Sequence, residues 1–114
     1  MADFLTDKME GDVHVVSLHG RFDAHEAPAV KSWLDDRYTD NIKILVDVSG
    51  VTFMDSTALA TLVQGMKHSR EKKGDLYLCG LQQSVKIIFE LTKLDKAFSI
   101  FDDEARALAG FQAN

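Results

Sequence analysis

Apolar and polar residues along this chain fall into short alternating runs and longer stretches with helical spacing. "FLTDKM" (residues 4–9) has the length of a short edge strand. Gly11-Asp12 then signals a turn, and "VHVVSLH" (13–19) is rich in β-branched residues, so the two runs predict a hairpin. "GRFD" (20–23) is expected to break the second strand. In "AHEAPAVKSWLDDRY" (24–38), Ala27, Val30, Trp33, Leu34 and Tyr38 recur at helical intervals, and Pro28 suits a first turn, where its missing N–H costs nothing. "IKILVDV" (42–48) is apolar at nearly every position, as a central strand covered on both faces must be. "SGVTFMDS" reads as the connection out of it. From Ser56 onward, Leu59, Leu62, Val63 and Met66 form the stripe of an amphipathic helix, which runs out in "HSREKKG" with Gly74 as its stop. "DLYLCG" (75–80) predicts a buried strand, "LQQSVKIIFELTKL" (81–94) a helix, "AFSIF" (97–101) a last strand and "DDEARALAGF" (102–111) a helix opened by acids.

The predicted order is β-β-α-β-α-β-α-β-α. Strands that alternate with helices require crossover connections, hence an α/β fold with a mixed, mainly parallel sheet packed by about four helices and an antiparallel addition at the start. No repeat, low-complexity tract or linker divides the chain, so residues 1–114 are expected to form a single domain.

Composition narrows the function. Apolar residues make up 46% and charged residues 27%, enough for a core and against disorder. A formal charge of −5 and scattered basic residues offer no field for nucleic acid. No apolar run approaches the ~20 residues that span a bilayer, and the start of the chain lacks a secretory pattern. The lone Cys79 in "LYLCG" reads as a buried thiol in a reducing compartment. A cytoplasmic protein without membrane or nucleic-acid partners is expected. Enzyme motifs are missing too. The glycines form neither a dinucleotide fingerprint nor a phosphate loop, the histidines at 14, 19, 25 and 68 have no metal-site spacing, and no serine lies in a nucleophile elbow. No cofactor and no metal are implied.

One stretch stands out. In "FMDSTALATLV", Asp55 is placed to cap the helix by accepting backbone N–H bonds. Capping does not account for Ser56 and Thr57 behind it, since both are middling helix formers. Ser56 at the first helical position would expose its hydroxyl at the carboxyl end of a central strand, the edge that open α/β sheets use for binding.

The segment "ILVDVSGVTFMDSTALATLVQGMKHSREKKGDLYLCG", together with "LHGRFDAHEAP", resembles the STAS domain family, the anti-sigma factor antagonists. The element order matches from end to end, and the Asp-Ser-Thr at the second helix corresponds to the family signature. The resemblance implies a partner switch without catalysis. It implies that Ser56 is phosphorylated by an anti-sigma factor or switch serine kinase, with Thr57 as the neighbouring second choice, and that a PP2C-type phosphatase reverses the step. It places Asp23, Asp55, Ser56, Thr57 and Ala58 at the partner surface. The chain departs from the family at Ala58 and Ala60, where glycine is common. Alanine firms the helix by up to about 1 kcal/mol and adds a methyl where a partner backbone would approach. Three other readings remain: a STAS scaffold that is never phosphorylated, a small-ligand or nucleotide sensor using the same strand edge, and a hydrolase built on Ser56.

Overall fold

The computed structural model describes residues 3–113, so residues 1, 2 and 114 of the expected 1–114 domain lie outside the described residues. Five strands form one sheet in the order β1-β2-β3-β4-β5. They are β1 (Leu5–Glu10), β2 (Val13–Phe22), β3 (Lys43–Met54), β4 (Asp75–Cys79) and β5 (Ile100–Phe101). β1 runs antiparallel to β2, with Glu10 opposite Val13, and the remaining pairs are parallel. Four helices complete the fold: α1 (Ala27–Asp35), α2 (Ser56–Glu71), α3 (Gln83–Leu91) and α4 (Glu104–Gln112). The expected fold class is observed, and among the described residues no helix is long and apolar enough to cross a membrane.

Strand alternation divides the core in two. The even-numbered residues Val16, Ile44, Val46 and Leu76 face α1, α2 and α3, which bring in Val30, Leu62 and Phe89. Val13, Val15, Leu45 and Tyr77 face α4 with its Ala107 and Phe111. The Tyr77 and Phe111 rings stack at 3.8 Å. Cys79 lies on this second face, where burial above all, and then the Asp47 carboxylate, pushes its thiol pKa up to about 12. α1 is tied to the edge strand through Asp7, whose carboxylate accepts the Trp33 indole N–H at 2.6 Å and pairs with Arg37 at 3.1 Å.

Several boundaries differ from expectation, each for a local reason. β2 does not break at "GRFD", and "SGVTFMDS" is not a connection. Both strands continue side by side until Phe22 pairs with Met54. Register shifts between Ser17 and His19 and between Gly20 and Arg21 make this extension irregular. On its β3 side Val48, Val51 and Met54 are the buried residues, every third instead of every second, and on its β2 side Phe22 is buried four residues after Leu18. β5 is shorter than 97–101 because Ala97 and Phe98 donate back to the Leu94 carbonyl and close a 3-10 turn over Leu94–Lys96. α3 stops at Leu91, where the Thr92 hydroxyl folds back onto the Ile88 carbonyl at 2.7 Å.

The end of α2 reassigns the role of Gly74. The left-handed residue there is Lys73, at φ 65°. The Lys73 N–H donates to the Arg70 carbonyl and the Gly74 N–H to the Ser69 carbonyl, the paired bonds of a Schellman stop. Gly74 is needed for a different reason, because a Cβ there would collide with the Ile42 backbone. Gly74→Ala is therefore expected to lower the thermal midpoint by about 10 °C or more, while Lys73→Gly holds or raises it. Thermal melts of the two variants beside the parent check this, and a harmless Gly74→Ala would contradict it.

Candidate functional site

The paired tails of β2 and β3 bring two acidic residues to one end of the sheet. Phe22 and Met54 are partners in the ladder, so Asp23 and Asp55 leave it side by side. The Asp55 N–H donates to the Phe22 carbonyl at 3.3 Å. Asp55 is extended, as an N-cap must be, and its Oδ1 accepts the Ala58 N–H at 2.9 Å. Its Oδ2 accepts the Ala24 N–H, also at 2.9 Å. One carboxylate thus caps α2 and holds the loop that leads into α1.

Asp23 organises that loop from within. Its Oδ1 accepts the N–H groups of His25 at 3.1 Å and Glu26 at 3.3 Å, an Asx turn. Its carbonyl accepts the Ala27 N–H at 2.8 Å, which starts α1. Beside it the Arg21 guanidinium lies 4.0 Å over the Phe53 ring and 3.9 Å from the Asp23 carboxylate. This cross-strand stack was not legible in the chain, because the register shifts that bring residues 21 and 53 opposite one another break the strand period.

Ser56 and Thr57 occupy the first two helical positions and are both exposed. Among the described residues the Ser56 hydroxyl makes no hydrogen bond, so it is open to solvent and to reaction. The Thr57 carbonyl accepts the Thr61 hydroxyl at 3.0 Å. Ala58 differs from expectation. It is fully buried in the main core, on the inward stripe with Leu62, and its side chain cannot belong to a partner surface. Its methyl fills core space and does not obstruct an approaching backbone. Ala60 is exposed and does present its methyl outward. The structure therefore gathers Asp23, Asp55, Ser56 and Thr57 at one helix mouth and withdraws Ala58 beneath it.

The Asp55 carboxyl is held below its ordinary pKa of 3.8, first by the Ala58 N–H and then by those of Ala24 and Thr57. The lowered pKa means that the unfolded chain binds the proton more readily. The stabilisation is complete above the ordinary value and is lost as pH falls through the depressed one.

The STAS domain family profile matches residues 6–107. The chain is 34% identical over 86 residues to an anti-sigma-B factor antagonist of Listeria monocytogenes, with 75% of each protein covered. An anti-sigma-factor antagonist (STAS) domain protein from Planctomyces limnophilus has the same fold at a TM-score of 0.84 and 22% identity, over 95% of this chain and 97% of that one. So does the Bacillus cell fate determinant SpoIIAA in its phosphorylated form, at a TM-score of 0.71 and 17% identity over 92% and 96% of the two chains.

Removing the bridge tests its structural role. Asp55→Ala is expected to lower the thermal midpoint by a few degrees and to speed amide exchange at Ala24 and Ala58 together. Asp55→Asn, which keeps an oxygen but loses the charge, should melt between the two at neutral pH, and its deficit should shrink below pH 3.8. A deficit that is independent of pH, or exchange that rises at Ala58 alone, would refute a charged double acceptor.

Proposed function

The chain belongs to the STAS domain family, and from that premise we propose that it is an anti-sigma factor antagonist switched by phosphorylation of Ser56. Unmodified, it binds an anti-sigma factor that also serves as the switch serine kinase. A PP2C-type phosphatase restores the binding form. The protein is regulatory and carries out no catalysis itself, and it works in the cytoplasm. The observation that carries this reading is the exposed Ser56 hydroxyl at the first position of α2, next to the Asp55 cap.

The electrostatics favour a switch that acts on the contact and spares the fold. Phosphorylation adds about −1.5 to −2 charges and three acceptor oxygens. The first turn of a helix tolerates an anion because its N–H groups and dipole point toward it. Nothing in the core has to move, since Ser56 is exposed while Ala58 and Leu62 are fully buried in the core. On the outer side the phosphate adjoins the Asp55 carboxylate. A partner that covers both must strip water from them, and an uncompensated buried charge costs about 3–5 kcal/mol. At ~1.4 kcal/mol per tenfold, affinity falls by about 10²–10³-fold or more. Arg21 and Asp23 flank the mouth and give a partner a cation and an anion to align with. Thr57 is exposed one position further along and is the second choice for the acceptor, the one a phosphate mapped away from Ser56 would point to.

Ser56→Ala should bind the cognate anti-sigma factor and take up no phosphate by mass measurement after incubation with ATP. Ser56→Asp should keep its melting temperature and lose about 10²-fold or more in affinity. Phosphate that maps only to another residue rejects the site, and normal binding by Ser56→Asp rejects the electrostatic mechanism.

A further inference from the structure

Where β2 and β3 run on toward the helix mouth, a glycine and a register shift set the position of one cation. Gly20 is left-handed at φ 90°, and the pairing of β2 with β3 shifts between Gly20 and Arg21. An irregularity of this kind re-aims the side chain that follows it. Arg21 thereby comes to stand opposite Phe53, one ladder position before the Phe22–Met54 pair from which Asp23 and Asp55 depart. Its guanidinium carbon lies 4.0 Å from the centre of the Phe53 ring.

The stack covers one face of the guanidinium and leaves its edge open. The Arg21 side chain is 65% exposed. Among the described residues none of its five N–H donors makes a hydrogen bond. The Asp23 carboxylate lies 3.9 Å from Nε, beyond that reach, and its Oδ1 already accepts from His25 and Glu26. An ion pair so exposed is worth little in water. Arg21 lines an open depression of about 460 Å3 together with Asp23, Glu26, His19 and His25. In a chain of net charge −5, a guanidinium held beside Asp23 is a local exception. A free arginine loses rotamer freedom when a partner fixes it, whereas here the ring has fixed part of it beforehand.

We propose that Arg21 selects the partner: its fork of N–H groups receives a carboxylate, an aspartate or glutamate on the docking surface of the anti-sigma factor, and Phe53 holds it in place for that contact. This rests on the reading of the chain as an anti-sigma factor antagonist. A planar guanidinium matches a carboxylate through two parallel hydrogen bonds, which a lysine cannot reproduce. An anti-sigma factor with an acid at that point pairs with the fork. One with a lysine or arginine there meets a like charge and is turned away. Arg21 is thus a specificity residue and Phe53 a positioning residue.

Titration calorimetry of the unmodified full chain against its cognate anti-sigma factor tests it. Arg21→Gln should weaken binding about tenfold or more, with the melting temperature of the parent retained. Arg21→Lys, which keeps the charge and loses the fork, should weaken it about threefold or more. Arg21→Glu should weaken it further still. One aspartate or glutamate of the anti-sigma factor, replaced by arginine, should then restore binding to Arg21→Glu and weaken binding to the parent. Phe53→Leu should cost about threefold in the parent and nothing once Arg21 is replaced by glutamine, a coupling that a merely structural role would not show. Parent-like binding by Arg21→Lys, no acid-to-arginine replacement that rescues Arg21→Glu, or an equal loss from Phe53→Leu in both backgrounds would overturn the assignment and leave the antagonist reading standing. A parent chain that does not bind the anti-sigma factor at all would overturn that reading, and this inference with it.

Discussion

The Asp55 carboxylate accepts from two separate segments, and the geometry of the helix mouth depends on that double acceptance. One oxygen takes the Ala58 N–H and fixes where α2 begins. The other takes the Ala24 N–H and fixes the loop that precedes α1. Its backbone is anchored in turn by the Phe22 carbonyl at the end of β2. Two crossovers therefore meet at one side chain. Ser56 follows that side chain directly, so its hydroxyl is presented at a defined place, without a hydrogen bond of its own among the described residues.

Below this point the molecule is conventional in its physics. The sheet separates two cores, α2 has Ala58, Leu62 and Met66 turned inward, and Ser56 and Thr57 are exposed on its outer side. Under the proposed function, a change of charge at the exposed position 56 acts on solvent and on a partner before it acts on packing.

Much of this was legible in the chain because the signals were local. The β-branched run at 13–19, the unbroken apolar run at 42–48 and the stripe of α2 each report a regular period, and the Asp55 cap follows from residue type and position. The extension of β2 and β3 was not legible. Where the register shifts, buried positions fall on every third residue in β3 and four apart in β2, so neither strand keeps its period of two. That one miss hid the stack of Arg21 on Phe53 and the second acceptor bond from Ala24. Ala58 was misplaced for a related reason. A motif names residues in order, whereas the helical stripe decides which of them face in, and position 58 shares the inward face with Leu62. Gly74 looked like a helix stop because glycine usually is one. The left-handed turn falls on Lys73, and only the distant Ile42 backbone explains the glycine.

The central claim is that a phosphate on Ser56 alters the outer contact and leaves the architecture beneath it unchanged. It is tested most directly by comparing amide spectra of the unmodified chain with those of a chain carrying phosphoserine installed at position 56 during synthesis. The account predicts shift changes confined to the loop around Asp23 and the first turn of α2, with the amides of Val46, Leu62 and Leu78 unmoved and amide exchange in the core unaltered. Shifts that spread through those three buried residues, or faster exchange across the sheet, would contradict it.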